Sequence, residues 1–305
     1  MVKIAGIGAC VMDTLVTVPR FPKEDTKLRA LSSQSSGGGP TATGLVAAQK
    51  LGVQTAFLGV LSNDAGGAFL LEDFQKYGVD TSLVEIKKGF RSFTSSIWLS
   101  GETASRTIVF DKGNLPPLVL SDRQKERIAS CEILMIDGNE MDAAEEACRI
   151  AKESRTRVLY DCGGLYEGVE RLLKRTDVMI PSEEFALGHT GCRTPEEAAK
   201  KLYEAYRPEI VVITCGKKGG ILYDGGEIER YPAFPVEAVD TNGSGDVFHG
   251  AFAAAMVKGF SYRDSCLFAS AVSAIKCTGI GARESTPREA DVIEFLKERN
   301  VELNL

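Results

Sequence analysis

The sequence predicts an α/β fold: a doubly wound, mainly parallel sheet covered by helices on both faces, with a small second β-sheet. Short apolar runs alternate with segments in which apolar residues recur every three to four positions, a pattern typical of βαβ units. We predict buried strands at residues 3–8, 55–60, 132–136, 157–161 and 210–215. We predict helices between them at residues 42–51, 67–77, 142–154 and 194–206.

Two helix starts are marked by a hydroxyl residue, a following proline and a glutamate at the third helical position. Residues 194–197 read Thr-Pro-Glu-Glu, and residues 286–289 read Thr-Pro-Arg-Glu. A hydroxyl N-cap, proline at the first helical position and glutamate at the third are the usual signals of a helix N-terminus. We therefore expect Thr194 and Thr286 to cap helices.

Two stretches interrupt the alternation and predict the second sheet. Residues 15–18 with 28–31, and 93–100 with 107–109, have strand character without a helix between them. Gly101-Glu102 opens a polar turn in the second pair, as in a hairpin. We expect one domain over residues 1–305, with a lid sheet formed by about 14–34 and 91–112.

The composition narrows the choice of partners and compartment. The net charge is −6 and no segment is densely basic, which argues against nucleic acid and anionic membrane surfaces as partners. The eight cysteines form no C-x-x-C pair, so we expect reduced thiols in a cytoplasmic protein. No apolar run approaches the roughly 20 residues that a transmembrane helix needs, and the N-terminus lacks the zones of a signal peptide.

Residues 240–246, Asp-Thr-Asn-Gly-Ser-Gly-Asp, carry the strongest chemical signal. Glycines permit tight turns with exposed N–H groups, and the small-residue helix that follows offers unsatisfied donors suited to phosphate. A carboxylate at Asp246 would accept the proton of an attacking hydroxyl while those donors stabilise a moving phosphoryl group. The alternative is a glycine loop whose aspartate only caps the helix.

A second glycine cluster, residues 37–39, precedes the helix predicted at 42–51. A cluster of this kind suits either a backbone that approaches a polar ligand closely or a flexible connection between the predicted lid and the helix. Asp13 follows the first strand, where it either binds sugar hydroxyls or stands in a solvated turn. Gly6-Ile7-Gly8 lacks the third glycine of a dinucleotide fingerprint, since Val11 occupies that position, and no P-loop motif occurs. His249 lies one turn into the small-residue helix, where it either touches substrate or has a packed or capping role, and we expect the latter.

With these residues assembled, the chain resembles the ribokinase, or PfkB, family of carbohydrate kinases over essentially its whole length. The family signature D-T-x-G-[AS]-G-D-x-F matches residues 240–248, the N-terminal glycine signature matches 37–43, and the nucleotide-proximal strand and turn match 211–219. The resemblance implies a ribokinase-like fold with a β-sheet lid that often forms a dimer interface. It also implies Mg-ATP as donor, leaves a monovalent cation open, and favours a sugar-like acceptor.

The resemblance also implies roles for individual residues. The catalytic group comprises the base Asp246 and the anion hole Gly243, Ser244 and Gly245. The acceptor site comprises Asp13, Lys27, Gly38, Gly39, Thr43 and Arg106. The nucleotide site comprises Thr214, Gly216, Gly219 and Cys277, and Glu183 is the candidate metal residue.

Within the family, residues 21–29 and 106–109 resemble ketohexokinase, whereas 37–43 and 274–278 resemble bacterial kinases of sulfofructose. Both suggest a ketose acceptor. The chain departs from the family where asparagines often hold the sugar, because Pro40 and Thr43 stand there, and where N-x-x-E is common, because Ser182 begins that segment. The alternatives are a kinase of a non-sugar alcohol, such as a nucleoside or vitamin, and a non-catalytic sugar-binding protein.

The predicted lid carries more apolar residues than one cleft can bury. They are Leu15, Val16, Leu28, Leu31, Ile97, Trp98, Ile108 and Val109. Because side chains alternate along strands, apolar residues on both faces require a second partner. We therefore expect a homodimer through the lid sheet. Lys27 and Arg29, expected on the second lid strand, either reach an anionic acceptor or are solvated edge charges.

Overall fold

The structure is a computed structural model that describes residues 1–103 and 105–303. The strands, in chain order, are β1 (Ile4–Ile7), β2 (Val11–Val18), β3 (Ser32–Gly38), β4 (Thr55–Phe57), β5 (Val60–Ser62), β6 (Glu85–Lys87), β7 (Thr94–Ser100), β8 (Arg106–Asp111), β9 (Ile133–Ile136), β10 (Arg157–Cys162), β11 (Val178–Pro181), β12 (Ile210–Thr214), β13 (Gly220–Tyr223) and β14 (Glu229–Tyr231). The helices are α1 (Pro40–Lys50), α2 (Ala65–Tyr77), α3 (Asp122–Ser130), α4 (Met141–Ser154), α5 (Glu170–Leu173), α6 (Glu183–Thr190), α7 (Pro195–Tyr206), α8 (Ser244–Val257), α9 (Tyr262–Cys277) and α10 (Glu289–Glu298).

The large sheet has the strand order β14-β13-β12-β11-β10-β9-β1-β4. Its pairings are parallel from β4 to β12, and antiparallel where β13 and β14 extend one edge. The predicted mainly parallel sheet is therefore confirmed, although the sequence pattern did not reveal β11. The carboxyl ends of β1, β9, β10, β11 and β12 lie along one edge, which is where ligands bind in sheets of this kind.

The strands of the large sheet are apolar at consecutive positions, so both faces of the sheet are apolar. Helices cover both faces. In β9, Ile133 and Met135 pack into one core, and Leu134 and Ile136 into the other. The first core contains side chains of α1, α8, α9 and α10, and the second contains side chains of α3 to α7. No helix of the described residues is both long and apolar enough for a membrane crossing.

The two predicted helix starts have different outcomes. Thr194 caps α7 as expected, since its side chain accepts a hydrogen bond from Glu197 N. Thr286 does not cap a helix, because its hydroxyl donates to Ala282 O at 2.8 Å. The last helix begins only at Glu289, after an Arg288 N-cap whose N–H donates to the Asp291 carboxylate. The same sequence motif therefore gives an N-cap at Thr194 but not at Thr286, because the hydroxyl of Thr286 is hydrogen-bonded to the preceding turn.

The second sheet, which we call the small sheet, has the order β3-β2-β7-β8. The predicted hairpin is confirmed, since β7 and β8 pair antiparallel. The predicted strand at 28–31 is wrong: β2 pairs instead with β3, from Val11 opposite Gly38 to Thr17 opposite Ser32. The polar, glycine-containing segment after residue 31 therefore supplies the strand. Lys27 and Arg29 lie on the exposed irregular segment before it, not on a strand.

The small sheet has apolar side chains on both faces. Leu15, Ile97 and Leu99 form a small buried cluster on one face. On the opposite face, Trp98 is 39% exposed and Val109 is 69% exposed. The edge strand β8 also exposes Ile108 and Phe110 on the first face. The described chain by itself thus leaves part of this apolar surface in contact with solvent.

Candidate active site

Residues 240–246 form a loop that ends in the first turn of α8. Gly243 is the N-cap and has φ 71°, in the left-handed region, and a Cβ there would strike Ala282. A residue with a side chain would therefore be strained and crowded at this position. The first N–H groups of a helix lack intrahelical acceptors, and the helix dipole adds positive potential to them. The loop consequently presents an anion site with the carboxyl group of Asp246 beside it.

The start of this loop is anchored by buried polar contacts. The Asp240 carboxylate accepts hydrogen bonds from Asn242 N at 2.8 Å and Gly281 N at 2.9 Å. The ammonium of Lys276 on α9 donates to Asp240 O at 2.6 Å and lies 3.6 Å from Asp240 Oδ2. Both side chains are inaccessible to solvent. These contacts fix the loop backbone before its N–H groups meet a ligand, so little reorganisation is needed on binding.

A cavity of about 480 Å³ opens beside the anion loop. All four residues predicted for the nucleotide, Thr214, Gly216, Gly219 and Cys277, line it. Its wall includes the apolar and aromatic side chains of Tyr231, Phe234, Pro235, Val236, Phe248 and Ala274, and its other end reaches Ser244 and Gly245. The volume and mixed lining are those of small-molecule sites. The cavity thus offers an apolar wall for a ring and an anion site at one end.

Asp246 belongs to a group of carboxylates at the carboxyl edge of the large sheet. Asp161 ends β10, Asp137 follows β9, and the charge of Asp137 acts on both other residues. Burial raises the pKa of Asp246, and nearby charges on His249, Lys276 and Arg106 oppose that rise. Asp137 accepts hydrogen bonds from three backbone N–H groups, so it supports the backbone here. Asp246 is therefore the carboxylate placed at the anion site.

Asp13 projects from β2 toward the same region and is 7% exposed. Ser95 on β7 donates a hydrogen bond of 2.5 Å to its Oδ1. Burial raises the pKa of Asp13 to about 6, and the charge of Asp246 also acts on it. A Cβ on Gly38 would meet the Asp13 carboxylate, and Gly39 has φ 92°. The glycine cluster therefore lets β3 lie against Asp13, which is a structural reason for the motif.

The other residues predicted for the acceptor site lie in different surroundings. Arg106, at the start of β8, donates to Thr241 Oγ1 at 3.3 Å, so it lies against the anion loop. Thr43 is fully buried in α1, and its hydroxyl has no hydrogen-bond partner among the described residues. Lys27 is exposed on the segment before β3. A smaller cavity of about 270 Å³ lies between the small sheet and the anion loop, and Arg106 and Thr241 line it.

The predicted metal residue, Glu183, is the first residue of α6. Ser182 caps that helix by accepting a hydrogen bond from Phe185 N, so its side chain is committed. Glu183 Oε1 lies 3.5 Å from the ammonium of Lys218, in the turn beside the cavity. Within residues 1–103 and 105–303, no group of three or more His, Cys, Asp or Glu forms a metal cage. Mg²⁺ in phosphoryl-transfer sites usually takes one or two carboxylates plus phosphate oxygens, and Glu183 offers one.

Sequence reasoning did not assign Asp161 and Lys276 to the site. Asp161 had a usable signal, since it is a carboxylate at the end of a predicted parallel strand. Lys276 had no such signal, because it is a single lysine in a segment with helical periodicity, far in sequence from the loop at residues 240–246 until the fold brings them together. The expectation of a packed or capping role for His249 agrees with its burial and with its contact to a backbone carbonyl one turn earlier.

Comparison with known proteins identifies the family. Residues 1–289 match the pfkB family carbohydrate kinases. The chain belongs to this family. The kinase is 27% identical to the ribokinase of Haemophilus influenzae, with 95% of this chain and 97% of the relative covered. It is also 27% identical to the ketohexokinase of Mus musculus, with 90% and 96% covered.

Solved structures of relatives share the fold of the kinase. The structure of Arabidopsis thaliana ribokinase complexed with ribose and ATP matches with a TM-score of 0.88 at 26% identity, covering 97% of this chain and 99% of that one. The ribokinase of Thermotoga maritima matches with a TM-score of 0.85 at 26% identity, covering 97% and 100%. The predicted fold class and enzyme class are therefore confirmed.

Proposed function

We propose that the kinase transfers the γ-phosphoryl group of ATP, bound with Mg²⁺, to a hydroxyl of a sugar or sugar-like acceptor. One observation carries this proposal: the 480 Å³ cavity ends at Gly245, one residue before the carboxyl group of Asp246. The nucleotide base and ribose would occupy the cavity beside Gly219 and Cys277. Its phosphates would then reach the N-terminus of α8, where donors and dipole favour anions.

In this arrangement Asp246 accepts the proton of the attacking hydroxyl. The N–H groups of Gly243, Ser244 and Gly245 stabilise charge on the transferring group, and the guanidinium of Arg106 adds to the positive field. Mg²⁺ would neutralise part of the phosphate charge, and the Glu183 carboxylate is the protein group that we assign to its hydration shell. The anchored start of the loop holds these donors in place before the reaction.

The acceptor would bind between the small sheet and the anion loop, with Asp13 as its hydroxyl ligand. Ser95 orients the Asp13 carboxylate from the neighbouring strand, which leaves the remaining oxygen lone pairs for substrate hydroxyls. We propose a ketose-type acceptor from the segments that resemble ketohexokinase and the kinase of sulfofructose. Ribokinases and ketohexokinase match this chain at the same identity, so the type of sugar depends on those segments alone.

The experiment that tests this function measures ADP release across a panel of ketoses, aldoses, nucleosides and vitamin alcohols, with Asp246→Asn as the control. Release with a sugar, abolished in the variant, supports the proposal. Release only with a nucleoside or a vitamin alcohol would replace it by a non-sugar kinase. Calorimetric sugar binding without any ADP release would indicate a non-catalytic sugar-binding protein.

We further propose that the small sheet is a lid and that the kinase forms a homodimer through it, because apolar side chains are exposed on both of its faces. A cytoplasmic location is proposed because all eight cysteines, which lie in the described part of the chain, are free. A monovalent-cation requirement stays a prediction of the resemblance. Assays with and without K⁺ at constant ionic strength test it.

A further inference from the structure

His249 is buried on α8, one turn after the anion loop, and is 4% exposed. Its Nδ1 lies 2.6 Å from Gly245 O and 3.3 Å from Asp161 Oδ2. Its Nε2 lies 2.9 Å from Ile180 O on β11. The ring therefore joins the anion loop, the end of β10 and the end of β11.

These partners determine the protonation state of the ring. A neutral imidazole carries one N–H donor and one acceptor nitrogen, whereas the imidazolium carries two donors. Carbonyl and carboxylate oxygens are acceptors only. A neutral ring would place a nitrogen lone pair against a backbone carbonyl oxygen on one side, either Ile180 O or Gly245 O according to the tautomer, which is unfavourable. Partners that are all acceptors thus favour a ring with an N–H group on both nitrogens.

We propose that His249 is a buried imidazolium that positions the anion loop and keeps Asp246 ionised at neutral pH, with Asp161 as its counter-ion. It acts as a positioning residue, through Gly245 and through its charge. The inference rests on the proposed role of Asp246 as base. Both residues lie on the same helix three positions apart, a spacing that places side chains on one face.

The need for such a cation follows from the charges that converge on Asp246. Asp137 and Asp161 from the sheet edge, and Asp13 from the small sheet, are acidic neighbours. The groups that face this cluster from the surrounding elements are Arg106 on β8, Tyr166 after β10 and Lys276 on α9. Burial raises the pKa of Asp246, and among neighbouring charges that of His249 opposes this rise most. A carboxyl group protonated at neutral pH could not accept a proton.

Kinetics of His249→Gln test the proposal, because glutamine keeps a donor and removes the charge. The acidic limb of kcat/KM for ATP, measured at saturating acceptor so that the titration of Asp13 does not contribute, reports the ionisation of the essential base before ATP binds. In His249→Gln this limb should move to higher pH by at least about one unit, the lower end of the effect of one neighbouring charge. Activity should then recover at alkaline pH. A uniform loss at every pH, with the limb in place, would reduce His249 to a structural role and overturn the proposal.

Two further variants sharpen the test. His189→Gln alters the other histidine of the chain, whose Nε2 contacts Tyr206 OH, and should leave the limb in place. Removing both charges in Asp161→Asn/His249→Gln should return the limb part of the way toward wild type, because the pair then disappears together. A double variant whose limb lies at or beyond that of His249→Gln would contradict the counter-ion role of Asp161.

The charge of the ring can also be measured without any turnover. Nitrogen-15 NMR of the labelled wild-type protein at neutral pH should show two protonated ring nitrogens for His249, with His189→Gln providing the assignment. A neutral ring in the folded protein overturns the inference even if the variants fail to fold. Because this readout needs no substrate, its failure is distinguishable from a failure of the kinase assignment.

Discussion

Asp246 and Asp13 are both poorly hydrated carboxylates, but their surroundings suit them to different tasks. Asp246 stands in the first turn of α8 beside N–H donors, burial raises its pKa, and His249, Lys276 and Arg106 oppose that rise. Asp13 has one hydroxyl donor, Ser95, and burial raises its pKa to about 6. These surroundings support the proposed division of roles, with proton acceptance by Asp246 and substrate binding by Asp13.

Replacing Asp246 with Asn preserves shape and removes proton acceptance. We expect kcat to fall by at least about 10²-fold, because general base catalysis contributes on that order. ATP affinity, measured by calorimetry, should remain near the wild-type value. A variant that retains more than half of the activity would exclude Asp246 as the base.

Asp13 should control acceptor binding in a pH-dependent way. Its pKa is raised to about 6, so the carboxylate is protonated as pH falls through 6 and loses an acceptor for substrate hydroxyls. The acceptor KM should rise roughly tenfold or more below that pH, because hydrogen bonds to charged groups contribute about 1.5–3 kcal/mol. The KM for ATP should change little.

Asp13→Asn is the control for this pH dependence of the acceptor KM. Its acceptor KM should be high at every pH and flat between pH values of about 5 and 7, since the titrating group is gone. An equal loss of ATP affinity in Asp13→Asn would instead place Asp13 at the nucleotide or in the folding of the small sheet.

At the scale of the element, the N-terminus of α8 contains two glycines, Gly243 and Gly245, which differ in the space available for a side chain. Gly243 has positive φ and no room for a Cβ, so the loop needs glycine there for its own conformation. A Cβ on Gly245 would meet no protein atom within 4 Å. The space beside Gly245 is instead the end of the 480 Å³ cavity. Packing of the helix therefore does not require glycine at this position, which is consistent with the proposed anion hole.

Gly245→Val should therefore leave the fold intact and obstruct the approach of phosphate to the N–H donors. We expect turnover to be lost while the far-UV circular dichroism spectrum and melting temperature stay near wild type. Gly245→Ala, with a smaller side chain, should have a weaker effect. If Gly245→Val retains both a normal spectrum and normal activity, the anion-hole assignment is wrong.

At the scale of the whole molecule, the small sheet lies between the proposed acceptor site and the surface. Its inner face carries Asp13, whereas Trp98 and Val109 point away from it and remain exposed. The hairpin edge β8 is exposed along its length. An exposed apolar edge of this kind favours pairing with another sheet. A second subunit would cover it and stabilise the small sheet over the acceptor.

Sedimentation velocity at micromolar concentration tests this dimer. The wild-type kinase should sediment as a dimer, and Val109→Asp, which places a charge at an exposed apolar position, should shift it toward monomer with the fold retained. We expect the acceptor KM to rise in parallel, because the small sheet loses its support. A fully active wild-type monomer would contradict the proposal.

The sequence by itself determined the parts of this protein that depend on local pattern. Apolar periodicity over residues 132–136 and 157–161 located β9 and β10 within one residue, because buried strands need consecutive apolar side chains. The glycine loop at residues 240–246 and the helix that it opens were predictable, because both depend on glycine spacing and on the small residues that follow. These signals extend over a few neighbouring residues and need no partner elsewhere in the chain.

Only the tertiary structure decided what depends on distant partners. The strand beside β2 is the polar β3 and not the apolar segment 28–31, since ladder hydrogen bonds and the contact of Gly38 with Asp13 determine the pairing. The charge that we propose for His249 likewise depends on its contact with Ile180 O, 69 residues away. Such contacts leave no periodic pattern in the sequence, because they depend on where the fold brings strand ends and helix ends together.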